Sequence, residues 1–182
     1  MEESNFINVL FLDFDGVVNT QWFYRSESPY RIQVNDNYFV DIATPSYKRL
    51  SNRQAVTLVD MLCHKFNLKI VVTSTWRLHG DQTETLYNSG LSEDVEILGH
   101  TDRLGSRDKE ILTYIKNHNQ YNEYMHEQPL IKNYIVLDDD IGDMALVKDH
   151  LIQTNTYDGF TFSKYLDACS MIEGWDNNGT SS

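Results

Sequence analysis

An apolar run that breaks off at two carboxylates and a glycine restricts this chain more than any other stretch. Ile7, Val9, Leu10, Phe11 and Leu12 have the length of a strand, and they stop at Asp13-Phe14-Asp15-Gly16. A near-continuous apolar run bounded by turn residues reads as a strand buried on both faces. Asp13 and Asp15 stand at its mouth, where like charges repel unless a cation lies between them or a proton is shared. A hard divalent ion such as Mg²⁺, which prefers carboxylate, carbonyl and water oxygens, meets that need. The competing reading is an ordinary turn, in which Asp and Gly are common, so the rest of the chain has to decide.

Two further apolar runs end in chemistry-bearing residues. Leu68-Lys69-Ile70-Val71-Val72 closes at Thr73-Ser74-Thr75-Trp76-Arg77. Hydroxyls at a strand end, with the backbone N–H groups that follow, can hold a phosphate oxygen without adding charge. Thr73 is the first candidate and Ser74 the next. Tyr134-Ile135-Val136-Leu137 runs into Asp138-Asp139-Asp140, with Gly142-Asp143 behind it.

Between these runs the spacing is helical. Ser51 reads as an N-cap for a helix carrying Ala55, Leu58, Val59, Leu62 and Phe66 on one face. Further helices are expected over Asp81–Asn88, from Arg107 with Ile111, Leu112 and Ile115 inward, and over Ser163–Ile172. Short extended pieces are expected at Val95–Leu98 and Leu151–Thr154, and a polar loop over Asn119–Lys132. Strands alternating with helices predict an α/β fold, a three-layer doubly wound and mostly parallel sheet. Such sheets bind ligands beyond the carboxyl ends of their strands, where all three special junctions fall.

The expected organisation is a single domain over residues 1–173 and a loose, flexible tail over 174–182. An aromatic insertion occupies residues 20–50, with Trp22, Phe23, Tyr24, Tyr30, Tyr38 and Phe39 among polar residues. It reads either as a loop or hairpin covering the core edge, or as a small cap or flap that walls the site and stacks on a flat group. Arg25 and Arg31 would be its phosphate-reaching residues. A chain of 182 residues has room for one full core. The net charge of −12 argues against an extended nucleic-acid surface, which needs clustered Lys and Arg. Cys63 and Cys169 lack metal-ligand spacing and read as reduced core thiols. No run suits a membrane span and the start lacks the pattern of a signal peptide, so the default expectation is a cytoplasmic protein.

Asp-x-Asp-Gly after an apolar strand resembles the first motif of the haloacid dehalogenase (HAD) superfamily of phosphohydrolases. The Thr/Ser strand end and the strand closed by Asp-Asp resemble its second and fourth motifs. Asp-x-Asp-Gly-Val-x-Asn followed by Ser-x-Trp-Arg is similar to the HAD domain associated with RNA-repair proteins. The resemblance covers about residues 6–162 and implies a Rossmann-like HAD core.

It also implies a Mg²⁺-dependent phosphomonoesterase that works through an aspartyl-phosphate. Asp13 would be the nucleophile and a metal ligand, and Asp15 the acid and base as well as a metal ligand through its carbonyl. Asp139 would be the direct metal ligand, and Asp138 a contact to a metal-bound water or to the basic residue. Gly16, Ser74 and Arg77 would lie against the substrate, with Thr73 on a phosphate oxygen. For the basic third motif Arg107 and Lys109 are both eligible, and the repair-type pattern Arg-x-x-Glu-Ile favours Arg107. The implied substrates are nucleotides or nucleic-acid ends bearing a 5′- or 3′-phosphate. The alternatives are a small-metabolite or phosphoprotein phosphatase, or a non-catalytic phosphate-binding module.

Overall fold

Strand β1 (Phe6–Leu12) takes the middle place in a five-stranded sheet because its side chains are apolar toward both faces. The other strands are β4 (Leu68–Val72), β5 (Ile97–His100), β6 (Leu130–Asp138) and β7 (Leu151–Gln153), numbered after a separate hairpin, β2 (Arg31–Asn35) and β3 (Tyr38–Asp41). The sheet order is β5-β4-β1-β6-β7. Every pairing is parallel, with Leu10 opposite Ile70 on one side and Ile135 on the other. The chain is described here by a computed structural model over residues 5–21, 31–35, 38–41, 51–75 and 82–175, of which 31–35 and 38–41 are described as backbone only. Trp22, Phe23, Tyr24, Arg25, Tyr30, Trp76, Arg77 and residues 176–182 lie outside the described residues, as do the side chains of Arg31, Tyr38 and Phe39.

Alternation along β1 sorts its side chains into two cores. Leu10 and Leu12 face the helices α1 (Arg53–Phe66) and α4 (Phe162–Glu173), meeting Val56, Val59, Leu62, Ala168 and Ile172. Val9 and Phe11 face α3 (Arg107–Met125), meeting Ile111 beside Val71 and Val136. Phe11 stands edge-on to Tyr114 and Tyr134, with ring centroids 5.9 and 5.8 Å apart, a favourable geometry for ring quadrupoles. The short α2 (Gln82–Asn88) adds Leu86 to the first core. The result is the expected three-layer α/β architecture.

Three local expectations need correction. The N-cap of α1 is Asn52, not Ser51: Asn52 Oδ1 accepts from Gln54 N at 3.0 Å, while Ser51 N bonds Ser89 Oγ at 2.7 Å. The extended piece placed at Val95–Leu98 forms β5 two residues later, since Val95 ends a turn with its N–H on Ser92 O. The polar stretch from Asn119 does not open a loop. It continues α3 to Met125, because its asparagines face inward and replace apolar contacts with bonds. Asn119 brackets Ile131 of β6, accepting from its N–H at 2.8 Å and donating to its carbonyl at 3.0 Å. Asn122, buried, accepts from Gln128 N at 3.1 Å and so fastens the turn after the helix.

In the insertion between β1 and α1 the backbone of β2 and β3 pairs antiparallel, with Arg31 opposite Asp41 and Ile32 opposite Val40. Cys63 and Cys169 are buried free thiols. Among the described residues no helix is long and apolar enough to cross a membrane.

Candidate active site

One row of polar residues crosses the carboxyl edge of the sheet because the hydrogen-bond ladder runs one residue past the strands. Asp13 N donates to Leu137 O at 3.0 Å, Thr73 N to Leu12 O at 2.9 Å, Thr101 N to Val72 O at 3.0 Å and Thr154 N to Asp138 O at 3.0 Å. The ends of β1, β4 and β6, distant in sequence, are therefore laid side by side. Carboxylate oxygens of Asp13, Asp138 and Asp139, one from each, lie within 4.8 Å of one another.

The cation facing this cluster comes from the start of α3. Arg107 Nη1 is 2.9 Å from Asp13 Oδ1, 3.0 Å from Asp138 Oδ2 and 3.4 Å from Thr73 Oγ1. A single nitrogen thus joins residues from all three junctions. Lys109, two positions on, is solvent-exposed, and its backbone N–H bonds Asp108. Thr73 and Ser74 are both buried, and the Ser74 side chain hydrogen-bonds Asp13. Asp15 lies close enough to Asp13 for its charge to be felt there, yet it is itself exposed. Arg77 lies outside the described residues.

Gly16 answers to a steric demand. Its φ is +73°, and a Cβ there would overlap the carboxylate of Asp139, so a residue without a side chain is required on both counts. Its carbonyl accepts from Thr154 Oγ1 at 2.6 Å. Thr156 Oγ1 donates to Asp139 Oδ2 at 2.7 Å. Asp143 bonds the backbone at the head of α3, accepting from Arg107 N through Oδ2 at 2.7 Å. Thr154, Thr156 and Asp108 escape a reading of the sequence because threonines after a short strand, or an acid in the first turn of a helix, form no motif. Only the fold brings the two threonines to Gly16 and Asp139, and Asp108, at the head of α3, to Leu146.

Burial and crowding disturb the acids. Burial pushes the Asp13 carboxyl up, and the charge of Asp15 adds to this, while Arg107 and the Ser74 hydroxyl pull it down. Asp138 is pushed up to about 7 by burial and by the neighbouring Asp13, against the pull of Arg107. Burial works against the Arg107 charge, but Asp13 and Asp138 hold its pKa above the ordinary value. One guanidinium is therefore shared by two buried carboxylates, with that of Asp139 beside them. An all-oxygen donor set with surplus negative charge fits a hard divalent cation such as Mg²⁺.

No curated protein and no solved structure matches the chain. A family model does match, over residues 9–164, and it is described as the HAD domain in Swiss Army Knife RNA repair proteins. That span takes in Asp13, Thr73, Arg107 and Asp138 together with β4, β5, β6, β7 and β1 from Val9 onward, and the chain accordingly belongs to the HAD domains of Swiss Army Knife RNA repair proteins.

Proposed function

We propose that the chain is a phosphomonoesterase that forms an aspartyl-phosphate on Asp13 and acts on nucleotides or on nucleic-acid ends carrying a 5′- or 3′-phosphate. The observation that carries this reading is the meeting of Asp13, Asp138 and Asp139 with Arg107 and Thr73 at one sheet edge. Membership in a HAD family supports phosphate-ester hydrolysis, and the RNA-repair context of that family supports the nucleic-acid class. The charge of −12 favours a small phosphorylated group or a chain end over a long polynucleotide track.

In the first step an oxygen of Asp13 forms a bond to phosphorus as the bond to the leaving oxygen breaks, and Asp15 gives its proton to that leaving group. Asp15 is exposed and Asp13 buried, two environments suited to proton exchange with solvent and to a fixed nucleophile. In the second step Asp15 takes a proton from water as the water oxygen bonds to phosphorus, releasing phosphate and the Asp13 carboxylate. Arg107 holds Asp13 through Oδ1 at 2.9 Å and so fixes the direction of the nucleophile, while Thr73 and Ser74 face the equatorial oxygens. Asp13, Asp139, Asp138 and the Asp15 carbonyl would hold Mg²⁺, which when bound neutralises charge on the phosphoryl oxygens. Positioning and charge compensation of this kind are the main demands of phosphoryl transfer.

The test is phosphate release from nucleotides, 5′- and 3′-phosphorylated oligonucleotides, phosphopeptides and sugar phosphates, with Mg²⁺ or with chelator. Release should require the metal, favour the nucleotide and oligonucleotide members, and fall in Asp13→Asn on the order of a thousandfold or more. Preference for a sugar phosphate or phosphopeptide would overturn the substrate class. Silence across the panel from folded protein would overturn the enzyme and leave a phosphate-binding domain.

A further inference from the structure

Thr156, in the segment after β7, is bonded at both ends. Its hydroxyl donates to Asp139 Oδ2 at 2.7 Å, and its carbonyl accepts from Gln21 N at 2.9 Å, just beyond the turn that carries Asp15 and Gly16. The second bond fixes the backbone from which the first is made. Asp139 is further confined by Gly16, over which its carboxylate lies. The other carboxylates of the cluster are engaged in the same manner. Asp13 Oδ1 and Asp138 Oδ2 accept from Arg107, and Asp138 Oδ1 accepts from Asp140 N at 3.0 Å. Each of the three acids thus has at least one oxygen already committed to a protein donor.

That pattern bears on which ion the cluster takes. Mg²⁺ is small, keeps a near-ideal octahedron and several of its waters, and is served by one oxygen from each of one or two carboxylates. Ca²⁺ takes six to eight oxygens at longer distances and gains from carboxylates that give both. We propose that Thr156 is a positioning residue for cation selectivity: by engaging Oδ2 it restricts Asp139 to giving an ion a single oxygen, which suits Mg²⁺ and handicaps Ca²⁺. The inference rests on the reading of Asp13, Asp138 and Asp139 as a cation site. It assigns Thr156 a function that no motif in the chain signals.

Binding of Mg²⁺ and of Ca²⁺ to the full chain, measured by calorimetry without substrate, tests it in the native protein, Thr156→Val, Thr156→Ser and Asp139→Asn. Valine keeps the shape of threonine and removes the donor, at an exposed position where folding should be unaffected. Loss of an outer-shell partner typically costs 10–100-fold in metal affinity. Thr156→Val should therefore lower the preference for Mg²⁺ over Ca²⁺ by roughly tenfold or more, with Thr156→Ser close to native. Unchanged affinities in Thr156→Val would overturn the proposal, as would equal weakening for both ions, which is what a merely structural residue gives. If native protein binds neither ion, or Asp139→Asn binds as native does, the cation site itself fails and the proposal with it. That outcome is read from proteins in which Thr156 is intact, so the two failures are distinct.

Discussion

Arg107 carries the positive charge that two buried carboxylates face, and its removal exposes what the cluster costs the fold. Truncation of one partner leaves the other buried charges uncompensated, typically at about 3–5 kcal/mol. Arg107→Ala should destabilise the metal-free protein by about that much, toward the lower end because Asp138, pushed up to about 7, takes up a proton instead. Lys109→Ala should stay within about 0.5 kcal/mol of native, as exposed substitutions do. Urea unfolding in chelator checks both. The repair-type pattern leaned toward Arg107, and helix spacing held a second means of separating these two residues. Arg107 and Ile111 are four apart and share one helix face, and Ile111 is buried against the sheet, whereas Lys109 is turned away. Thr156 was beyond any such argument, since it is tied to the site by hydrogen bonds to Asp139 and Gln21 that no local pattern relates.

The head of α3 is stitched to the segment after β6 in both directions. Asp143 accepts from Arg107 N at 2.7 Å through its side chain and from Asp108 N at 3.1 Å through its carbonyl. In return the Asp108 carboxylate accepts from Leu146 N at 3.1 Å, and also from Ser106 Oγ at 2.8 Å and Lys109 N at 2.7 Å. Burial alone would raise its pKa, but those three bonds outweigh burial and hold it below the ordinary value of 3.8. Asp108→Ala should cost about 1.5–3 kcal/mol at neutral pH by thermal unfolding, the range for bonds to a charged acceptor. A carboxylate whose pKa is lowered by folding contributes fully above 3.8, and the contribution fades as pH falls through the lowered value. The gap between native protein and Asp108→Ala should therefore narrow in acid. At this scale the strands were legible because β-branched runs ending at polar residues are distinctive. The length of α3 was not, because Asn119 and Asn122 count as loop formers until their bonds to Ile131 and Gln128 are seen.

Across the whole molecule, β1 separates two cores and borders both neighbours that bring acids or hydroxyls to the site. Phe11→Ala should cost about 3–5 kcal/mol by urea unfolding, as large-to-small changes of buried rings do. The loss should extend to the site, since Phe11 lies two residues before Asp13 and pairs with Val71 and Val136. The parallel architecture was readable from the order of the runs, because parallel strands need a crossover between them and helices supplied those from β1 to β4, β4 to β5 and β5 to β6. The central place of β1 also sets the order of events as the chain is made. It emerges before either neighbour, and the side-chain bond from Asn133 to its Asn8 spans 125 positions. Until β6 has left the ribosome, β1 offers an unpaired edge and apolar faces, the kind of surface on which nascent chains aggregate. Fragments ending ahead of Leu130 should thus depend on a chaperone to stay in solution, and in them Asp13 stands without Asp138 and Asp139.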